Sequence, residues 1–178
     1  MTSVVVITGL LLAVVVLILL STYNGLTHLR QEVRAAWAQM DESLKKRYDL
    51  MPALIATVQA AGGEPATKLP AIITAKNQAA VAFNPQQLAS AEIALTEGIH
   101  ELLAAAERDP ALNVSPKFVE IRQKLLASEK AIDKTCRRYN DRVDHLNEML
   151  GSFPTILTAA VIGLKSQPAF VLPIETAA

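Results

Sequence analysis

Apolar residues recur at steps of three and four along the first third of the chain: Leu26, Leu29, Val33, Trp37, Met40, Leu44, Tyr48, Met51, Leu54 or Ile55, and Val58. At 3.6 residues per turn such steps place all of these side chains on one helix face, so the segment is predicted to lie lengthwise against partner helices of similar length. Only Gly25 separates this stripe from the apolar run before it, which leaves two arrangements open: one helix, or a helix bent at that glycine. Pro52 falls inside the pattern and removes one backbone donor. Because the stripe resumes at Leu54, a kink near Asp49 to Met51 is expected rather than an end. The first break comes at Ala61 to Pro65, which holds Gly62 and Gly63.

A second helix is predicted over about Ala66 to Ala82, with Leu69, Ile72, Ile73 and Ala79 or Ala80 inward and Pro70 weakening its first turns. Asn84 followed by Pro85 reads as an N-cap and first-turn pair. Leu88, Ala91, Leu95, Ile99, Leu102 and Leu103 then mark the inner face of a third helix running to Arg108, where Asp109 and Pro110 stop it. Glu92, Glu97, Glu101 and Glu107 give that helix an acidic outer face. Ser115 and Pro116 repeat the start signal before the most regular pattern in the chain: Phe118, Ile121, Leu125, Glu129, Ile132, Cys136, Tyr139, Val143, Leu146 and Leu150. Only Glu129 spoils its seven-residue repeat, and the helix it predicts is ~33 residues, roughly 50 Å, long. Gly151 and Pro154 end it. Phe153, Ile156, Leu157, Val161, Ile162, Leu164 and Phe170 form a last apolar region, too short and too broken by Gly163 and Pro168 to span a membrane. Short alternating Val/Ile/Thr/Tyr runs bounded by turn residues are missing, so no strand is predicted. The expected class is all-α: an N-terminal transmembrane helix followed by an elongated three- or four-helix bundle.

The transmembrane prediction rests on the run ahead of the stripe. No charged side chain occurs from Met1 to Thr27, and only Thr8 and Gly9 interrupt Val4 to Leu20. With its flanks this gives ~20 residues at 1.5 Å each, enough to cross a hydrocarbon layer of roughly 30 Å. A cleaved signal peptide would call for a basic start, a shorter apolar core and a small-residue cleavage site, so an uncleaved anchor is preferred. Val4, Leu10, Val15 and Leu20 are its expected lipid-facing residues, with Tyr23 at the interface. No Lys or Arg precedes the run, whereas Arg30 and Arg34 follow closely and Lys45, Lys46 and Arg47 come later. That asymmetry predicts an outer N-terminus and a cytoplasmic bundle. The expected organisation is therefore an anchor over 1–23, an antiparallel bundle over 24–151, and a hydrophobic segment with a tail over 152–178.

Charge and chemistry change this picture little. Lys and Arg total 17, as do Asp and Glu, so no global field draws the chain to nucleic acid. One cysteine, Cys136, excludes an intrachain disulfide, and its place on the last long stripe suits a small buried apolar group. His28, His100 and His145 sit on three different segments without a metal-ligand spacing. There is no phosphate-cradling glycine loop, nucleophile elbow or triad signature. No catalytic, cofactor-binding or metal-binding residue is therefore expected, and no small-molecule substrate. Trp37 and Tyr48 read as core residues with polar tips. Asp41, Asp49, Glu129 and Asn140 are candidates for an interhelical polar network. Lys45, Lys46 and Arg47, together with Arg137 and Arg138, are candidate interaction residues for anionic headgroups or a partner. Salt bridges from such basic faces to the acidic third helix are the plainer explanation. Phe153 and Phe170 complete the candidate surface.

The residues now in view resemble the LemA family. The resemblance runs from Tyr23-Asn24 and Leu29-Arg30 through Ala36-Trp37, Asp41, Lys46-Arg47-Tyr48-Asp49-Leu50 and Pro52. It continues in Ala75-Lys76-Asn77, Asn84-Pro85, Ala91-Glu92, Leu125, Glu129, Arg137-Arg138-Tyr139-Asn140 and Ser152-Phe153-Pro154. Two departures stand out: Ala61 to Pro65 reads Ala-Gly-Gly-Glu-Pro where the family usually carries a His-Glu pair, and Pro70 is unexpected. The resemblance implies an N-terminally anchored helical bundle of the bacterial envelope without an established enzymatic activity. Some family members shape magnetosome membranes, and family genes neighbour a membrane zinc protease or TPM-domain proteins. The leading expectation is a non-enzymatic scaffold in the bacterial inner membrane, or an internal membrane compartment, with the lipid bilayer and further copies of itself as partners. The alternatives are an accessory subunit of an envelope protease or other membrane enzyme, and direct membrane remodelling by Phe153 to Phe170.

Overall fold

A computed structural model describes residues 1–172, apart from the side chains of Val4 and Val5; residues 173–178, the end of the predicted 152–178 segment, lie outside the described residues. Helix makes up 86% of the described residues and no strand occurs among them, so the class is all-α. The anchor run and the first stripe form one helix, α1 (Thr2–Ala61), which continues without interruption through Gly25 and Pro52. Met51, Leu54 and Val58 are fully buried on either side of Pro52, and that packing carries the helix past the missing donor. The chain turns at Gly62 and Gly63, whose φ of 73° and 71° lies in the left-handed region that glycine enters without a Cβ clash.

The predicted second helix is two: α2 (Gly63–Thr67) and α3 (Leu69–Ala80). Pro70 explains the division. It sits in the first turn of α3, where a missing amide costs nothing, and a proline there marks a start rather than an interior. α4 (Pro85–Arg108) and α6 (Pro116–Gly151) begin where the proline signals place them, while Asp109 and Pro110, expected only to stop α4, also start the short α5 (Pro110–Asn113). α7 (Thr155–Ile162) follows, and the chain runs on without helix from Leu164.

The residues group into two compact units, each drawing on α1 and α6. One takes Met1–Trp37 and Arg138–Ala169; the other takes Ala38–Arg137 and the described residues from Phe170. In the second unit Met51, Leu54 and Val58 of α1 share a core with Leu69 and Ile72 of α3, Leu95, Ile99 and Leu102 of α4, and Phe118, Ile121 and Leu125 of α6. α3 packs closely on α4. A Cβ at Gly98 would come within 3.1 Å of Ile72 Cγ1, so glycine permits that approach. In the first unit Trp37 meets Tyr139 edge to face, with ring centroids 5.2 Å apart, and Glu32 pairs with Arg142 at 3.2 Å. The chain after α7 is held there by Asn147, whose side-chain amide donates to the Gln167 carbonyl at 2.8 Å while its oxygen accepts from Gln167 N–H at 2.9 Å. Tyr139 OH donates to the Pro168 carbonyl at 3.4 Å.

Candidate functional site: an apolar span and a buried ion pair

Two features of this all-helical chain depart from an ordinary buried core. The first is the N-terminal third of α1. A window of mean hydropathy 2.6 lies there with none of it buried, and Val6, Leu10, Leu12, Val15, Leu17 and Leu20 all face outward. An exposed apolar helix surface of that length is compatible with a membrane anchor and costly in water. Leu10, Val15, Leu20 and Tyr23 of the expected anchor set are exposed, Tyr23 by 47%. Val4 belongs to the helix, and its side chain lies outside the described residues.

The second feature is a charged cluster inside the second unit. Arg47 of α1 and Glu92 of α4 are buried, with 3% and 0% of their surface exposed, and they form an ion pair through Nη2 and Oε2. Tyr48 OH donates to the other oxygen, Oε1. Arg47 Nη1 donates to Thr96 Oγ1 at 2.9 Å, and that hydroxyl donates to the Glu92 carbonyl at 2.8 Å. Burial pulls the Arg47 pKa below the ordinary arginine value, against the Coulombic support of Tyr48 and Glu129. Burial likewise pushes the Tyr48 hydroxyl up. Beside the pair lies a cavity of about 10 Å³, bordered by Thr96, His100 and Glu129, with His100 Nε2 and Glu129 Oε1 2.8 Å apart. That volume matches one water molecule. Both Glu92 oxygens are engaged inside the protein, so the cluster fastens α1 to α4 at a fixed register.

Arg47 and Phe170, expected on an interaction surface, are therefore both interior. Arg47 lies on the stripe Met40, Leu44, Arg47, Met51, and the acid opposite it makes burial tolerable. Phe170 is only 1% exposed, and its carbonyl accepts the Cys136 thiol hydrogen at 3.1 Å. Burial pushes the Cys136 thiol up, against a hydrogen bond from the Leu172 backbone. Glu92, expected on the acidic outer face of α4, is wholly inside. Lys45 and Lys46 are exposed and engaged by carboxylates one turn back, Asp41 at 2.5 Å and Glu42 at 2.7 Å. Those contacts raise the Lys45 pKa and lower that of Glu42. Arg137 pairs with Asp133 at 2.9 Å, Arg138 is exposed, and Phe153 is 83% exposed. Lys45, Lys46 and Arg137 belong to one unit, Arg138 and Phe153 to the other. Salt bridges do reach the acidic helix: Arg47 of the first basic run pairs with Glu92, and from outside both runs Lys68 pairs with Glu101 at 2.9 Å and Arg122 with Glu107 at 3.4 Å.

A family model described as the LemA family matches residues 36–178. The chain belongs to the LemA family. Among curated proteins no match is found. The LemA match begins at Ala36, beyond the anchor run, and takes in the Arg47–Glu92 pair, the whole of α6 and the chain after it. Within this LemA chain, Trp37 and Tyr139 meet in the first unit, and Arg47, Tyr48, Glu92 and Glu129 come together in the second. Glu92 and its helix position are what sequence reasoning missed. The signal was present: Leu88, Glu92, Leu95, Ile99 and Leu102 step by fours and threes as regularly as the same series with Ala91 in place of Glu92.

Proposed function

We propose that this LemA-family protein is a non-enzymatic scaffold, held in a bacterial inner membrane by a single pass of α1, that self-assembles through its helical bundle to organise membrane or recruit partners. One observation carries the reading. α1 is exposed and apolar along its first third and bears a buried stripe from Leu26 to Val58, so one unbroken helix serves as both anchor and core element. Arg30 and Arg34 follow the anchor and no Lys or Arg precedes it, which favours an outer N-terminus and a cytoplasmic bundle. The charged cluster supports a structural rather than a catalytic role, because Glu92, its buried acid, is already ion-paired with Arg47 and accepts from Tyr48. A buried ion pair of this kind, joining two helices, suits fixing helix register.

The test uses the full chain in bacterial membranes. Alkaline carbonate should leave it in the membrane fraction, and cross-linking before solubilisation should yield discrete multiples of its mass. Extraction by carbonate would remove the anchor. A purely monomeric pattern at high membrane density would remove self-assembly.

A further inference from the structure

α7 presents an apolar face beside the end of the anchor. Phe153 is 83% exposed, Val161 84%, and Ile156, Leu157 and Ile162 are also exposed, whereas Thr155, Thr158 and Ala159 are buried. The polar residues of this helix thus face inward and the apolar ones outward, the reverse of a helix lying on a water-soluble domain. No charged side chain occurs from Met149 to Leu164, just as none occurs from Met1 to Thr27. The two uncharged stretches are tied together: Thr158 Oγ1 lies 2.7 Å from Thr22 Oγ1, which donates to the Ile18 carbonyl at 2.9 Å. Thr22 stands directly beside the exposed apolar run of α1 and one residue before Tyr23.

We infer that α7, with Phe153 ahead of it, lies in the lipid leaflet on the bundle side of the membrane, alongside the end of the anchor. The inference rests on the anchor reading of α1 and adds a second lipid-contacting element. The occupant of the apolar face is the acyl region of the bilayer, because that face is pinned to a helix segment whose own outward surface is apolar and of spanning length. The polar groups of the segment suit that setting. Thr158 and Thr22 satisfy each other. The Ile156 amide donates to the Ser152 carbonyl at 2.8 Å, and Pro154 has no amide to satisfy. At the far end Gly163, with φ of 65°, lets Leu164 N–H return to the Ala159 carbonyl at 3.0 Å, closing the last turn. An eight-residue helix is about 12 Å long, so it occupies one leaflet and does not cross. Lys165, exposed immediately after it, can extend its ammonium group to the headgroups. Phe170 takes no part, since it is interior.

The full chain, reconstituted in vesicles of phosphatidylcholine and phosphatidylglycerol with or without brominated acyl chains, tests this. Phe153→Trp and Val161→Trp are introduced singly over Trp37→Phe, with Val15→Trp as the anchor reference and the unaltered chain, whose only tryptophan is Trp37, as the reference outside the bilayer. Trp37 lies fifteen residues beyond Thr22, about 22 Å along α1. The expected result is bromine quenching at 153 and 161 comparable in fractional loss to that at 15, with blue-shifted emission and little quenching by aqueous acrylamide. Emission at 153 and 161 that acrylamide quenches and bromine does not, while position 15 is bromine-quenched, overturns the inference and leaves the anchor intact. Blue-shifted emission without bromine quenching, sharpening as protein density rises, assigns the face to a second copy and also overturns it. Loss of bromine quenching at position 15 itself refutes the anchor.

Discussion

Arg47 and Glu92 form an ion pair with both side chains buried, so each would be an uncompensated buried charge without the other. Arg47→Met is expected to lower the unfolding free energy by ~3–5 kcal/mol, and Glu92→Leu by a similar amount, whereas Arg47→Met with Glu92→Leu should cost far less than their sum. Urea unfolding of the full chain in detergent, followed by circular dichroism, measures all three; additive losses would mean the pair is not coupled. Tyr48 adds a pH dependence. Burial holds its folded pKa above the unfolded value of about 10, so between the two the native state keeps a proton that the unfolded state has lost, and rising pH favours unfolding. Its contribution is complete below about pH 10 and is lost above it, and Tyr48→Phe should flatten that part of the stability profile. The cluster was partly legible in the sequence. Glu129 was expected in an interhelical polar network, whereas Arg47 was expected on a surface and Glu92 on the outer face of its helix. Which acid Arg47 would meet depends on helix register, which spacing along one chain does not specify. Cys136 and Phe170 show the limit more sharply, since nothing local to either residue foretells a thiol hydrogen bond across 34 positions. Phe170→Ala should open that site and speed iodoacetamide alkylation of Cys136 under native conditions, whereas the unaltered chain should react only as it unfolds.

At the scale of elements, caps and close approaches decide where helices stop and how near they lie. Asn84 Oδ1 accepts from Gln87 N–H at 2.8 Å, and Gln87 Oε1 accepts from Phe83 N–H at 3.1 Å, so the start of α4 is fastened from both sides. Asn84→Ala should cost ~1 kcal/mol. Gly98 matters through its missing side chain: Gly98→Leu pushes into Ile72, and a loss of ~1–3 kcal/mol is expected, partly recovered when Ile72→Ala makes room. Thermal unfolding of the single and double variants checks this, and an undiminished penalty in the double variant would place the clash elsewhere. The bounds of α4 and α6 were legible because Asn84-Pro85 and Ser115-Pro116 act within one turn of chain, where local chemistry suffices. The division of α2 from α3 was missed although Pro70 was visible, because whether a proline weakens a helix or begins a new one depends on what the preceding turn packs against. The burial of Phe170 was likewise hidden, since the chain that carries it has no regular period and is held by isolated hydrogen bonds with the side chains of Asn147, Tyr139 and Cys136.

For the whole molecule the proposed orientation depends on few charges, which makes it testable by moving them. Arg30 and Arg34 are the only Lys or Arg residues within the first turns after the anchor, both are exposed, and the N-terminal flank has none. Short-loop basic residues near the ends of a span set its direction, while acidic residues contribute little. Arg30→Gln and Arg34→Gln, combined with lysines at Thr2 and Ser3, should therefore reverse the bias and carry the N-terminus to the cytoplasmic side. A cysteine added at the N-terminus of a Cys136→Ala chain reports the outcome through a membrane-impermeant maleimide on intact spheroplasts. The chain with its native charges should be labelled and the charge-moved chain protected. Equal labelling of both would mean that the mass of the helical bundle, rather than Arg30 and Arg34, decides its side of the membrane. Protection of the native arrangement would put the bundle on the outer face. Leu12→Arg provides the complementary control at mid-span: at roughly 2.5–3.5 kcal/mol for a central arginine, insertion should weaken without reversing, so the chain shifts toward the soluble fraction while its inserted remainder keeps the native labelling pattern.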